Sequence, residues 1–248
     1  MSVAVVRPVT TLPSRPRRKP QAKSPRDLQR LLVQLSDAQA TYSTSAFAHN
    51  IEKQLLGLTK SSTIPITRIV SLGLGSLSNT EKGQTRRIKQ LAILLTIRES
   101  LQKHMKAGVV EVYAQDPTFT RQDEALLSSF DIRILRTASG ASLGEAADVI
   151  DESTLVYSPF LTLEAYEQLL VGSRQLVQYL IGDDFNALLE KWPKYSAERM
   201  QVQKVTKAAL GRYRRKAISG SGFWEEADGA YPMAVYAAQK KVKEKARI

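Results

Sequence analysis

Apolar positions along the chain repeat with two different periods, and each period predicts its own elements. Leu28, Leu31, Leu32 and Leu35 recur at helical spacing behind Ser24-Pro25-Arg26-Asp27. That start supplies a capping hydroxyl, Pro at the first helical position and an acid in the first turn. A second helix is expected from Ser43, with Phe47, Ile51, Leu55 and Leu58 on one face. From residue 66 the pattern changes to short apolar runs. Ile66–Leu72, Val109–Ala114, Ile132–Leu135, Thr154–Tyr157 and Leu176–Ile181 read as strands. A long helix from Gly83 to about Met105 separates the first two, and Thr120 and Thr162 are N-caps for two more. Arg136–Glu152 is polar and reads as a loop with a helical turn at Leu143–Val149. Ser196 to about Ala217 reads as a basic helix, and Gly220-Ser221-Gly222 breaks it.

Buried strands that alternate with helices require crossover connections and a mainly parallel sheet. The expected fold is therefore α/β: a Rossmann-like three-layer domain with about five strands, N-terminal helices and a basic C-terminal helix. Three regions follow: a basic tail over 1–25, one domain over 26–217, and a basic extension over 218–248.

Charge refines this division. The net charge is +12 over 248 residues. Residues 1–26 contribute +7, residues 27–190 contribute −4, and residues 191–248 contribute +9. Nucleic acid is thus expected to meet the basic tails, not the middle of the domain. Pro8, Pro13, Pro16, Pro20 and Pro25 make the first tail read as disordered and solvated. There is no apolar run of membrane-spanning length, so no membrane partner is expected. The chain has no cysteine, which removes thiol nucleophiles and cysteine zinc sites. Cytoplasm and nucleus are the expected locations, with mitochondria as the alternative.

Candidate chemistry gathers where strands end. Gly73, Gly75, Ser76 and Ser78 form a glycine turn directly after the first strand. Exposed backbone N–H groups in such a turn attract phosphate or carboxylate oxygens. A third glycine three residues after Gly75 would complete a dinucleotide fingerprint, but Ser78 stands there. A tight strand-to-helix connection with no ligand is the competing reading. Asp116 ends the second strand, where an acid can hold ribose hydroxyls; it also suits a simple Asp-Pro turn. Pro159 follows the fourth strand, and Gly182 and Asp183 follow the fifth. His49 and His104 lie on helices away from this edge, and no metal site is expected.

Together these segments resemble the family named sensitivity to red light reduced. The resemblance rests on Leu72-Gly73-Leu74-Gly75-Ser76-Leu77-Ser78, on Arg87 and Gln90 opening a Leu-rich helix, and on Asp116-Pro117. It also rests on Thr154–Pro159 and Gly182-Asp183-Asp184-Phe185. It spans about residues 64–190. One departure is plain: the family commonly has His-Cys after the fourth-strand proline, and this chain has Phe160-Leu161.

The resemblance implies a regulatory or interaction protein of the kind linked to light and circadian signalling or haem-biosynthesis regulation. Its expected partners are an unidentified protein or a small anionic or nucleotide-like ligand, with no cofactor assigned. The expected ligand-binding set is Gly73, Gly75, Ser76, Ser78, Gln90, Asp116, Pro159, Gly182 and Asp183. An enzyme using a nucleotide-like cofactor, such as an S-adenosylmethionine-dependent methyltransferase, is the alternative.

Overall fold

The computed structural model describes residues 25–61, 64–80, 82–104, 108–172, 177–230 and 232–239. The Ser24 cap, the first tail and the basic stretch after Gln239 lie outside them, as do Met105 and Leu176. The strands are β1 (Arg68–Leu72), β2 (Glu111–Gln115), β3 (Ile132–Leu135), β4 (Thr154–Ser158), β5 (Tyr179–Asp183), β6 (Tyr213–Ile218) and β7 (Met233–Ala238). They form one sheet in the order β3-β2-β1-β4-β5-β7-β6. The pairs from β3 through β5 are parallel, and β7 runs antiparallel to both β5 and β6.

The helices are α1 (Pro25–Ser43), α2 (Ala46–Ser61), α3 (Gln84–His104), α4 (Arg121–Ser128), α5 (Ala146–Val149), α6 (Leu163–Glu167), α7 (Phe185–Lys191) and α8 (Ala197–Leu210). Alternate strand residues feed two cores. Ile69, Leu155, Tyr157, Ile181 and Val235 face α1, α2, α3 and α4; Val70, Val156, Leu180, Ala234 and Tyr236 face the α5, α6, α7 and α8 side. The result is the expected three-layer α/β architecture. No helix among the described residues is long and apolar enough to cross a membrane.

The strand count and the C-terminal reading need correction. Among the described residues seven strands form, not five. The basic helix stops at Leu210, and Arg214, Arg215 and Lys216 belong to β6. Charge concealed this strand: between buried Tyr213 and Ile218 its residues are polar or small, as an edge strand allows. β7 lies within the stretch read as an extension. It is buried along most of its length because it sits between two strands. Helix α2 begins at Ala46, and the Ser45 hydroxyl caps it by accepting from the Ala48 N–H.

Buried polar contacts bind the β6–β7 connection to α3. The Lys89 ammonium lies 2.6 Å from Asp228 Oδ2 and donates to the Phe223 carbonyl at 2.8 Å. Both side chains are nearly sealed from water, at 9% and 4% exposure. Breaking such a pair strands a charge in low dielectric. Lys89→Met is expected to lower unfolding stability by about 3–5 kcal/mol in a urea titration; a loss near zero would mean that Asp228 finds another partner.

Candidate functional site

The sheet order reverses between β1 and β4, because β2 and β3 lie to one side of β1 and β4 and β5 to the other. Loops diverge at such a reversal and open a crevice at the carboxyl edge. A half-open cleft of about 210 Å³ lies there. Leu72, Gly73, Gln115, Asp116, Phe160 and Leu161 contribute to its lining, together with Thr118 and the 137–143 loop.

Local sequence explains why the walls stand where they do. Gly73 has φ +75°, and a Cβ there would lie 3.4 Å from Leu161 Cδ1. The β1 and β4 loops can therefore approach closely. Gln115 closes the floor: its Nε2 donates to the Leu143 carbonyl, and its Oε1 accepts the Ala146 N–H. Phe160 also has positive φ, 68°, which is strained for a residue with a Cβ. Two contacts hold it. Its N–H donates to both oxygens of Asp183 at 3.1 and 3.2 Å, and the Arg86 guanidinium lies 4.5 Å from its ring centroid.

The glycine turn behaves differently from expectation. Its amides do not wait for an external anion. Gly73 N–H donates to the Gln115 carbonyl, Gly75 N–H to Asp116 Oδ2, Ser76 N–H to Thr118 Oγ1, and Ser78 N–H to Asp123 Oδ1. Asp123 is fully buried and also accepts the Ser76 hydroxyl and the Thr120 N–H. Arg87 completes the knot by donating to the carbonyls of Ser76 and Asn79. Two carboxylates, a carbonyl and a hydroxyl of the same chain thus fill the positions where phosphate oxygens were expected.

The remaining expected residues divide by position. Gly73 and Asp116 line the cleft, whereas Gly75, Ser76 and Ser78 stand behind it in the knotted loop. Gln90 is buried in α3, under the sheet, with no partner for its Nε2. Pro159 precedes the strained Phe160. Gly182 leaves room for Tyr166: a Cβ there would meet the Tyr166 hydroxyl at 2.5 Å. That hydroxyl donates to the Ser158 carbonyl and accepts the Asp183 N–H. Asp184 caps α7 and is bound in two places by Arg215. Among the described residues no cluster of acids and histidines could hold a metal ion.

Asp123, Thr118 and Tyr166 carry much of this geometry, and sequence reasoning did not assign them a site role. Thr120-x-x-Asp123 was visible only as a helix start, which it also is. Nothing in the spacing showed that the same carboxylate reaches back 45 residues to Ser78.

Asp183 is the most perturbed carboxyl at this edge. Burial pushes its pKa up to about 7, against the pull of the Phe160 N–H and the positive charges of Lys191 and Arg86. It stands at the rim, joined to the cleft wall through Phe160.

The molecule is therefore a doubly wound α/β domain with a half-open cleft at its strand-order reversal. The SRR1 domain model matches residues 39–234, and the chain belongs to that family. No curated protein matches it by sequence. Among solved structures it is similar to cofactor-bound Rv0187 from MTB, at 12% identity and TM-score 0.47, covering 89% of this chain and 100% of that one. It is also similar to the fibrillarin pre-rRNA processing protein of Methanococcus jannaschii, at 14% identity and TM-score 0.39, covering 73% and 71%. A third is the methyltransferase domain of bacterial CtHen1, at 11% identity and TM-score 0.40, covering 77% and 99%. All three TM-scores fall below one half, so the family match alone carries the assignment.

Two outcomes follow from the Asp183 corner. Between about pH 4 and about pH 7 the unfolded chain releases the Asp183 proton while the folded chain keeps it, so stability falls as pH rises through that window. Thermal melts of the wild type and Asp183→Asn are expected to show this fall in the first only. Gly182→Ala would drive a methyl into the Tyr166 hydroxyl. It is expected to cost about 1–3 kcal/mol in chemical denaturation.

Proposed function

We propose that this SRR1-domain chain is a regulatory protein that binds a small uncharged or cationic ligand of nucleoside type in the cleft between the β1, β2, β3 and β4 loops. The observation that carries this reading is the lining itself. Its one ionisable group is the acid Asp116, and it includes no Lys, Arg or His. An anion would meet a carboxylate there with no cation among the described lining residues to offset it. The small anionic ligand expected from the glycine turn therefore loses its support.

Asp116 retains capacity for one more donor. Its Oδ1 accepts the Thr118 N–H and hydroxyl, and its Oδ2 accepts the Gly75 N–H. A carboxylate offers about four acceptor positions. A ligand hydroxyl could take the last one. Leu72, Pro117, Leu143 and Leu161 supply the apolar surface that a ring would lie against. The volume of about 210 Å³ is below the range of drug-sized sites, about 300–1,000 Å³. It suits a small ring system or one end of a longer molecule.

A second reading keeps the same ligand class and adds catalysis. Six parallel strands with a reversed seventh inserted between the fifth and the sixth is the sheet arrangement of S-adenosylmethionine-dependent methyltransferases. S-adenosylmethionine is a nucleoside bearing a sulfonium, an ammonium and one carboxylate but no phosphate, so its net positive charge agrees with the lining. Fold likeness alone does not supply an activity. The lining offers no general base beyond Asp116, which favours the regulatory reading.

The test is a thermal-shift series with adenosine, S-adenosylmethionine, ATP and inorganic phosphate. Adenosine or S-adenosylmethionine at about 100 times its dissociation constant is expected to stabilise the fold by about 2.7 kcal/mol. Asp116→Ala should abolish that shift. Stabilisation by ATP or phosphate alone, or by none of the four, would overturn the reading. Methyl transfer to any acceptor would move the assignment to the enzyme.

A further inference from the structure

A second surface, far from the cleft in charge and chemistry, has no role in the reading above. Nine of the fourteen Lys and Arg residues of 191–248 lie between Lys191 and Lys216, seven of them in α7, α8 or β6 and two in the connections between these elements. Part of this charge gathers on the face that β6 shares with α2. Arg212, Arg214 and Lys216 alternate along β6 and its entry, so their side chains project to one side of the strand. On α2, Lys53, Gly57 and Lys60 stand four and three residues apart and share a helical face.

The two elements are fastened together. Gln54 Nε2 donates to the Ala217 carbonyl at 2.9 Å, and Asn50 Nδ2 donates to Ser219 Oγ at 3.2 Å. The Lys216 ammonium lies against Gly57: a Cβ there would be in ordinary contact with its Nζ, at 3.7 Å. Lys53, Lys60, Arg212, Arg214 and Lys216 are all exposed. The acids that pair with basic groups elsewhere in the described residues pair with none of these five.

We propose that this α2–β6 face binds the phosphate backbone of a nucleic acid. Five unpaired cations on one face repel one another, and a polyanion relieves that repulsion. Alternate residues of β6 are about 6.8 Å apart. That is about twice the 3.4 Å axial interval between phosphates on one strand of a duplex. The exposed large apolar residues, among them Leu28, Leu32, Val33 and Tyr195, all lie outside this face. Among the described residues the surface therefore lacks the aromatics that stack bases and the apolar side chains that enter a membrane. It reads phosphates without reading sequence. Basic residues also protect an edge strand from pairing with another copy, but that need does not explain why Lys53 and Lys60 on a helix join the same face. The proposal is independent of the cleft and of its ligand.

The experiment is fluorescence anisotropy of the full chain with a labelled mixed-sequence DNA duplex and a single-stranded RNA, each titrated over a range of salt. Arg214→Gln with Lys216→Gln, and separately Lys53→Gln with Lys60→Gln, are expected to weaken binding at least tenfold at low salt. Each pair should flatten the slope of log K against log salt on the duplex by about 1.8. All four positions are exposed, so unchanged melting of the variants confirms that they fold. Unchanged affinity and slope in both pairs would overturn the proposal, since binding would then belong to the terminal basic segments. Polyglutamate competing as well as nucleic acid at equal charge would also overturn it, in favour of an acidic protein. Self-association of the Arg214/Lys216 pair without a change in slope would reduce the β6 charge to edge protection.

Discussion

Two carboxylates hold the carboxyl edge of this sheet together. Asp116 and Asp123 accept the N–H groups that the β1 loop would otherwise leave open. A buried amide without a partner costs about as much as a lost hydrogen bond, so a glycine turn must satisfy its donors somewhere. Many nucleotide-binding folds satisfy them with a ligand's phosphate. Here the acceptors come from β2 and α4, on the same chain. Gly73, Gly75, Ser76 and Ser78 thus have acceptors without a ligand, and the described lining of the cleft beside them holds one acid and no Lys, Arg or His.

That choice shapes the rest of the rim. The β1 loop is fixed by Asp116, Asp123 and Arg87, while the β4 loop is fixed by Asp183 through the Phe160 N–H. The cleft lies between these two anchored walls. Phe160 and Leu161 make one wall apolar, with no side chain there that can move a proton.

Much of the fold was legible because its signals are local. The first five strands, the long helix over Gln84–His104 and the Thr120 and Thr162 caps all follow from apolar runs and capping chemistry. The last two strands were not legible. β6 lacks an apolar run because it lies at an edge, and β7, a six-residue apolar run, falls within the stretch beyond Gly220-Ser221-Gly222 that was read as a basic extension. The site was legible by address only. Gly73, Asp116 and Asp183 do gather at one edge, because strand ends in a parallel sheet point the same way. The internal use of the turn amides was hidden, since it depends on a contact between Ser78 and Asp123 that no local pattern encodes.

The reversed position of β7 carries a cost during assembly. Read in the order of synthesis, β6 emerges before the strand that must separate it from β5. Those two strands point the same way, so a direct parallel zipper between them is geometrically open to the young chain. Such a zipper would occupy the slot that Met233–Ala238 later needs. The nascent protein must keep that gap vacant until its final strand arrives, which makes a premature closed sheet its natural misfolding trap.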